Sequence, residues 1–333
     1  TLQPHHAQGD AASRLPACFA TLVRKTLSLT LSDARLQEVP SAIGLLSNLT
    51  TLEVHGSQIA DLPPTLAQVS RLRVLRVSAN GTGCGLREAP SVLHQVTSLE
   101  ELDLSRNRLT RLPETLLLSL RGLTRLQVSY NRLEALPEAL GELTALQVLL
   151  LAHNRISRLP HQLSACGALK LLDASDNRLQ ELPGNLARLT ALSTLLLART
   201  LLPETDLGGM SPPLSLRTID LAGNLLESVP RFVLRCTGLT DLQLDWNRLT
   251  RLPEAIGTLS ALSSLSLAAN ALRHLPPSLS RTRIGKTLAL RVAGNPGVRD
   301  PSSVLFDEEA SARAFQRDFI PHPPPSVEGG VRE

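Results

Sequence analysis

Aromatic side chains are nearly missing from this chain: five Phe, one Tyr and one Trp make up 2% of 333 residues. The 42% hydrophobic content therefore has to pack as an aliphatic core, and the few rings stand out. Lysine is almost as scarce. It occurs only at Lys25, Lys170 and Lys286, so 31 of 34 basic residues are Arg. Two readings of that bias stand side by side: GC-rich coding, and a demand for fork-shaped donors that grip carboxylates or phosphates. Charge of one sign is not in excess. The formal net charge is +4 and the pI near 9.2, too mild at this length to imply nucleic acid. No apolar run approaches the ~20 residues needed to span a bilayer. The four cysteines, Cys18, Cys84, Cys166 and Cys236, are dispersed. The eight histidines show no metal-ligand spacing, and His5-His6 would bind metal only adventitiously.

What the chain has instead is one phrase, L-x-x-L-x-L-x-x-N-x-L-x-x-L-P, written twelve times. The copies begin at Thr26, Leu49, Leu72, Leu99, Leu123, Leu146, Leu169, Leu192, Leu216, Leu239, Leu262 and Thr287. The steps are 23, 23, 27, 24, 23, 23, 23, 24, 23, 23 and 25 residues. A fixed period in this range specifies a solenoid of leucine-rich repeats. The fold class expected is an α/β solenoid: a horseshoe of about twelve repeats with a parallel concave sheet and helical caps. In the fifth repeat, Leu126, Val128 and Leu133 point inward around a short strand. Asn131 follows, placed to bond backbone of adjacent turns that burial would otherwise leave unsatisfied. This Asn recurs at Asn80, Asn107, Asn154, Asn177, Asn224, Asn247, Asn270 and Asn295, while Ala34, Ser57 and Thr200 replace it in repeats one, two and eight. Pro137 stops the strand and turns the chain outward. Leu140 and Leu143 close the core on the convex side.

Three places break the rhythm: the Gly81-Thr82-Gly83-Cys84-Gly85 insertion, repeat eight at Thr200 to Glu204 with Pro212-Pro213 beyond, and the stretch from Thr282 to Lys286. The solenoid is expected over 26–297. Residues 1–25 form an N-terminal segment whose Leu15, Cys18, Phe19, Leu22 and Val23 fall at the spacing of a cap helix. Residues 298–320, with Leu305, Phe306, Phe315 and Phe319, read as a C-terminal cap, and 321–333 as a disordered tail rich in Pro and Gly. Cys166 and Cys236 share one repeat phase, three repeats apart. At a strand spacing of ~4.8 Å they lie roughly 14 Å from each other, too far to bridge.

Residues 136–151 (LPEALGELTALQVLLL) and 252–267 (LPEAIGTLSALSSLSL) carry the pattern Leu-Pro-x-x-Leu/Ile-x-x-Leu-x-x-Leu in a 23-residue frame. This resembles the intracellular Ras-group type of leucine-rich repeat, found in plant intracellular Ras-group proteins, Scribble- and Erbin-type scaffolds and some bacterial effectors. The resemblance spans about residues 26 to 296. It implies protein recognition through the concave surface, and it carries over only structural residues: the leucines, the Asn ladder and the Pro ladder. Secreted relatives usually bear cysteine clusters in their caps. None is present here, so a reducing interior, and hence the cytoplasm, is expected.

Tests for chemistry return little. Gly285-Lys286-Thr287 resembles the end of a phosphate loop, but Ser280 stands where its first Gly is required and the segment precedes a strand. Cys84 would need a base such as His55 or His94, which no spacing demands. No catalytic, cofactor or metal site is expected. Against concave positions that are mostly small (Ser28, Ser78, Ser129, Ala152, Ser175, Ala198, Ala222, Ser264 and Ala268), Tyr130 and Trp246 stand out. Each directly precedes the repeat Asn and so projects from the same edge. Exposed rings are favoured binding anchors; packing on neighbouring stems is the competing role. Arg106, Arg125 and His153 are expected around Tyr130, and Asp220, Asp241 and Asp245 around Trp246, with Asp173 and Asp176 nearer the middle. Beside them Arg108, Arg132, Arg155, Arg178 and Arg248 directly follow the Asn and form a basic stripe. It is either solvated by local carboxylates or set for an acidic or phosphorylated partner. The function expected is a non-enzymatic scaffold that binds a protein partner on the concave face. The alternative is a structural subunit of a large assembly. Binding of RNA or an anionic membrane surface through the Arg stripe is the third and weakest reading at +4.

Overall fold

The computed structural model describes residues 26–32, 36–56, 59–79, 85–202, 211–284 and 289–298. Within them, one sheet of twelve parallel strands runs in strict chain order. The strands are β1 (Ser28–Ser32), β2 (Thr51–His55), β3 (Val74–Ser78), β4 (Glu101–Asp103), β5 (Arg125–Gln127), β6 (Val148–Leu150), β7 (Leu171–Asp173), β8 (Thr194–Leu196), β9 (Thr218–Asp220), β10 (Asp241–Gln243), β11 (Ser264–Ser266) and β12 (Ala289–Arg291). Like pairs with like: Leu102 registers with Leu126, Leu126 with Leu149, Leu149 with Leu172 and Leu172 with Leu195. Side-chain alternation then sends that leucine row inward and its two neighbours onto the concave face.

Where the described residues span the return of a strand, it runs through a short convex turn that begins at the repeat proline. After Pro137 the Leu140 N–H donates to the Pro137 carbonyl (3.0 Å), Leu143 to Leu140 (3.1 Å) and Leu146 to Leu143 (3.0 Å). This staircase brings Leu140, Leu143 and Leu146 to full burial. Most convex turns are single 3-10 turns, such as Glu138–Glu142 and Glu254–Thr258. Among the described residues two close as α-helix, α1 (Glu114–Ser119) and α2 (Arg231–Leu234). A proline fixes φ and gives up an N–H that the first turn does not use, so it can open each of them. All of the leucines and valines so placed merge into one aliphatic core, in which Phe232 is the largest fully buried side chain.

The Asn ladder has one repeated geometry. Asn154 Oδ1 accepts the Leu133 N–H of the preceding repeat (3.0 Å), and its Nδ2 donates to the Val128 carbonyl there (3.0 Å) and to the Leu151 and Ala152 carbonyls of its own turn. Asn107, Asn131, Asn177, Asn224, Asn247, Asn270 and Asn295 repeat the first two bonds, from Oδ1 and to the preceding repeat, and each also bonds carbonyls of its own turn. At Thr200 a hydroxyl stands in: it donates to the Leu197 carbonyl and leaves the Thr200 N–H to Asn224. Repeat eight therefore keeps the sheet continuous on both sides. The insertion in repeat three rejoins the ladder at Leu86, whose N–H donates to Asn107 Oδ1. Ala34, Ser57, Asn80, Gly81 to Cys84, Pro203, Glu204 and Gly285 to Thr287 lie outside the described residues, as do the expected cap helices and the tail.

One expectation is corrected. Ser129, Ala152 and Ala198 do not present surface; they are 7%, 8% and 5% exposed. The strand has already begun to curl toward the Asn at these positions, and their carbonyls accept bonds from the preceding repeat: the Arg106 N–H reaches Ser129 and the Tyr130 N–H reaches Ala152. Smallness there serves close packing.

Candidate functional site

The residue before each Asn carries the surface. In repeats four to twelve these are Arg106, Tyr130, His153, Asp176, Arg199, Gly223, Trp246, Ala269 and Gly294, and every one has φ between 53° and 76°. Left-handed backbone costs a non-glycine residue on the order of 1 kcal/mol, and the array accepts that cost repeatedly. The conformation is held from outside: the Tyr130, His153, Asp176 and Arg199 N–H groups each donate to the next repeat at 2.8–3.0 Å. Side chains at these positions thus leave the sheet edge in one direction, one rung (~4.8 Å) apart.

Five of them join into a continuous ladder. The Arg106 Cζ lies 4.7 Å from the centroid of the Tyr130 ring. The Tyr130 and His153 rings stack at 4.1 Å with planes 19° apart. His153 Nε2 is 3.3 Å from Asp176 Oδ2. Arg199 closes the series by donating through Nε and Nη2 to the two Asp176 oxygens, both at 2.6 Å. The Arg199 hydrogen bonds hold the Asp176 carboxyl below its ordinary value against the opposing effect of burial, with help from the His153 and Arg199 charges. A Cβ at Gly223 would come within 2.6 Å of Arg199 Cγ, so glycine at this rung gives Arg199 its room and ends the ladder.

Beneath the ladder lies an open hollow of about 380 Å³, lined among others by Arg106, Tyr130, His153, Asp173, Asp176, Arg199 and Asp220. Burial pushes the Asp220 carboxyl above its ordinary value, with the Asp245 and Asp173 charges adding to the rise; the Ala222 N–H and Arg199 oppose it. On the strands that floor this region, Val148, Leu150, Leu171 and Leu196 are half-buried on the concave face. They are the outward apolar positions that sequence reasoning missed, with Asp173 in register between Leu150 and Leu196: in runs such as LQVLLL the outward and inward leucines are the same residue type, so only the register separates them.

The expected groupings divide. Arg106 and His153 do meet Tyr130, which is 46% exposed. Arg125 instead joins a neighbouring hollow with Arg76, Glu101, Asp103 and Gln127, where its Nη2 donates to Gln127 Oε1 at 3.1 Å. Arg76 there pairs with Glu53 and, at 3.1 Å, Glu101. Two of the carboxylates expected around Trp246 engage other groups. Asp220 faces the Tyr130 hollow. Asp245 Oδ1 accepts the Ser266 hydroxyl and the Ala268 N–H, both at 2.6 Å. Asp241 sits on β10 with one buried oxygen that lacks a hydrogen-bond partner among the described residues. Trp246 itself is 71% exposed. Of the two residues that complete the ladder, Asp176 was legible only as a charge and Arg199 was not singled out; their pairing follows from the left-handed rung.

The basic stripe is present as a row. Its backbone is fixed by repeat-to-repeat bonds, for example Arg132 N–H to the Leu109 carbonyl and Arg155 N–H to Leu133, both 2.8 Å. Arg132, Arg155, Arg178 and Arg248 are exposed, and Arg108 is half-buried. Three residues further on, Arg111 pairs with Glu88 at 3.5 Å and Arg158 with Glu181 at 3.3 Å. Cys166 and Cys236 are buried free thiols, each pushed by burial up to about 11, which keeps them protonated at neutral pH. Among the described residues no group of three His, Cys, Asp or Glu is placed to hold a metal ion, and no helix is long and apolar enough to cross a membrane.

Comparison with known proteins matches the same units. The Leucine rich repeat family model fits residues 97–156 and 215–272. Leucine-rich repeat serine/threonine-protein kinase 1 of Mus musculus is 33% identical over 113 residues, which is 32% of this chain and 6% of that protein. A solved LRR protein of Leptospira interrogans superposes with a TM-score of 0.62 at 24% identity, covering 92% of this chain and 86% of its own. The LRR ectodomain of the plant receptor kinase GASSHO1/SCHENGEN3 from Arabidopsis thaliana, solved in complex with Casparian strip integrity factor 2, gives 0.67 at 25% identity over 90% of this chain and 36% of its own. Twelve like-paired strands, the buried Asn ladder, the matching family model and these superpositions lead to one assignment: the chain is a leucine-rich repeat protein.

Proposed function

We propose that this protein is a non-enzymatic scaffold that binds a protein partner on the concave face of repeats four to nine. One observation carries the reading. The ladder from Arg106 to Arg199 is fixed before any partner arrives, and it stands beside the half-buried patch of Val148, Leu150, Leu171 and Leu196. Apolar centres with preorganised polar rims are what protein recognition uses, because side chains already held in place lose little entropy on binding. The Arabidopsis ectodomain, solved in complex with Casparian strip integrity factor 2, supports a protein partner in general. The 23-residue repeat frame and the buried free thiols support an intracellular, cytoplasmic setting and the Ras-group subtype.

The test is affinity purification of the tagged full chain from its native source, with co-purifying proteins quantified for wild type, Leu150→Glu, Tyr130→Ala and the convex control Arg188→Ala. A partner lost from the two concave variants and kept by the control supports the reading. Retention of every companion by Leu150→Glu, with the fold intact by circular dichroism, refutes it. Companions lost only by the convex control would favour fixed subunit packing in an assembly.

A further inference from the structure

Trp246 belongs to a larger exposed apolar surface on the sheet edge. The row that carries Arg132, Arg155 and Arg178 continues through repeats eight and nine as Leu201 and Leu225 and returns to Arg248. Leu201 is 58% exposed, Leu225 45% and Trp246 71%. Singly, exposed leucines need no explanation; here three large apolar side chains stand exposed on consecutive rungs, Leu201 and Leu225 in one row and Trp246 in the neighbouring row before the Asn. Its geometry is set by Gly223. That residue ends the ladder one rung before Trp246, has no side chain to fill the gap, and stands two residues before Leu225.

The charges on either side separate this surface from the concave one. The Asp176 and Arg199 charges satisfy each other within the ladder. By contrast Arg132, Arg155, Arg178 and Arg248 form no ion pair among the described residues, whereas Arg111 and Arg158 in the parallel row do. Guanidinium groups stacked at ~5 Å repel and favour an anionic counterpart. A planar guanidinium grips a carboxylate with two parallel bonds.

From this juxtaposition we propose a second docking site along the edge of repeats seven to ten, for an acidic and apolar segment of a partner protein. The segment sets aliphatic or aromatic side chains against Leu201, Leu225 and Trp246 and carboxylates against Arg178 and Arg248. Those arginines are three rungs apart, roughly 14 Å at ~4.8 Å per rung. An extended chain covers that in about four residues. The motif is therefore two acidic residues about four apart with apolar residues between them. The site does not depend on the concave-face reading, because neither Tyr130 nor Leu150 is part of it.

The sole Trp makes the test direct. Three labelled synthetic peptides of equal length are titrated into the full chain: one with Glu flanking a Leu-Phe centre at this spacing, one with Lys in place of Glu, and one with Ser in place of Leu and Phe. The first should blue-shift Trp246 emission and bind at least about tenfold more tightly than the others. Leu225→Ser and Arg178→Glu, each checked for an unchanged melting curve, should weaken it about tenfold, and Tyr130→Ala should leave it unchanged. Equal binding of the Lys peptide, indifference to Leu225→Ser, or an equal loss in Tyr130→Ala overturns the proposal. So does tighter binding of phosphatidylserine vesicles or polyuridylate than of the first peptide. Blue emission from the free chain that reddens when residues after 298 are removed also overturns it, since the chain's own segment would then cover the patch.

Discussion

Replacing Asn154 by Leu tests the ladder quantitatively, and the structure narrows the cost. Asn154 makes four bonds, yet most of its partners are shared. The Val128 carbonyl also accepts Asn131 Nδ2 at 3.0 Å, and the Leu151 carbonyl also accepts Asn177 Nδ2 at 3.0 Å. Only the Leu133 N–H, bonded to Asn154 Oδ1 at 3.0 Å, is left buried and unpaired. One orphaned buried donor costs about 1–3 kcal/mol, so the single variant should lose that much and not the sum of four bonds. Asn131→Leu should cost a similar amount by orphaning the Leu109 N–H. The double variant adds something neither single shows: the Val128 carbonyl then loses both donors. A coupling of about 1–2 kcal/mol beyond additivity follows. Asn131→Leu with Asn177→Leu shares no carbonyl in this way and should be additive. Urea denaturation of the singles and doubles measures the coupling, with the slope checked because repeat arrays can lose two-state behaviour. Amide exchange localises it: Leu133 should exchange faster in Asn154→Leu while Ile156, held by Asn177 Oδ1, keeps its rate. Additivity within about 0.5 kcal/mol in the adjacent pair would refute the shared-carbonyl argument.

Three further outcomes follow from the same geometry. The Asp176 pKa is lowered in the fold, so its contribution is complete above the ordinary carboxylate range and is lost as pH falls through the folded value; Arg199→Ala should abolish that acid-side loss in melting curves, and an unchanged acid limb would show the pair contributes nothing. The Asp220 pKa is raised, so its ionised form opposes folding; Asp220→Asn, which keeps the acceptor for the Ala222 N–H, should raise the melting temperature at neutral pH and lose that gain in acid, where Asp220 is itself protonated. With thiols at about 11, Cys166 and Cys236 should resist iodoacetamide at neutral pH until the chain is denatured, as read by peptide mass spectrometry; labelling in the native state would contradict their burial.

The fold was legible because one residue type at one spacing does one job twelve times. Leu at the strand centre, Asn at the curl and Pro at the turn each answer a local need that recurs in most repeats, so the period assigns them even where Ala34, Ser57 or Thr200 stands in for the Asn. The proposed recognition surface is written where the pattern is silent, and two kinds of information were missing there. The first is register. Leu150 and Leu196 face out and Leu149 and Leu195 face in, and nothing in a run of leucines separates them until the strands pair. The second is backbone handedness. The residue before the Asn tolerates Arg, Tyr, His, Asp, Gly, Trp and Ala, which reads as a variable position of no consequence. The left-handed φ turns it into a row of aligned side chains, and only then do Arg106, Tyr130, His153, Asp176 and Arg199 become one object. This explains why Arg106 and His153 could be placed beside Tyr130 from sequence while the acidic residues could not be placed beside Trp246. The former lie on the same row as the ring; Asp220, Asp241 and Asp245 lie on others, and the rung next to Trp246 on its own row is Gly223. A variable position that is conformationally fixed is where a repeat array can change partners without changing its fold, because substitution there alters the surface and leaves the leucine, Asn and Pro rows untouched.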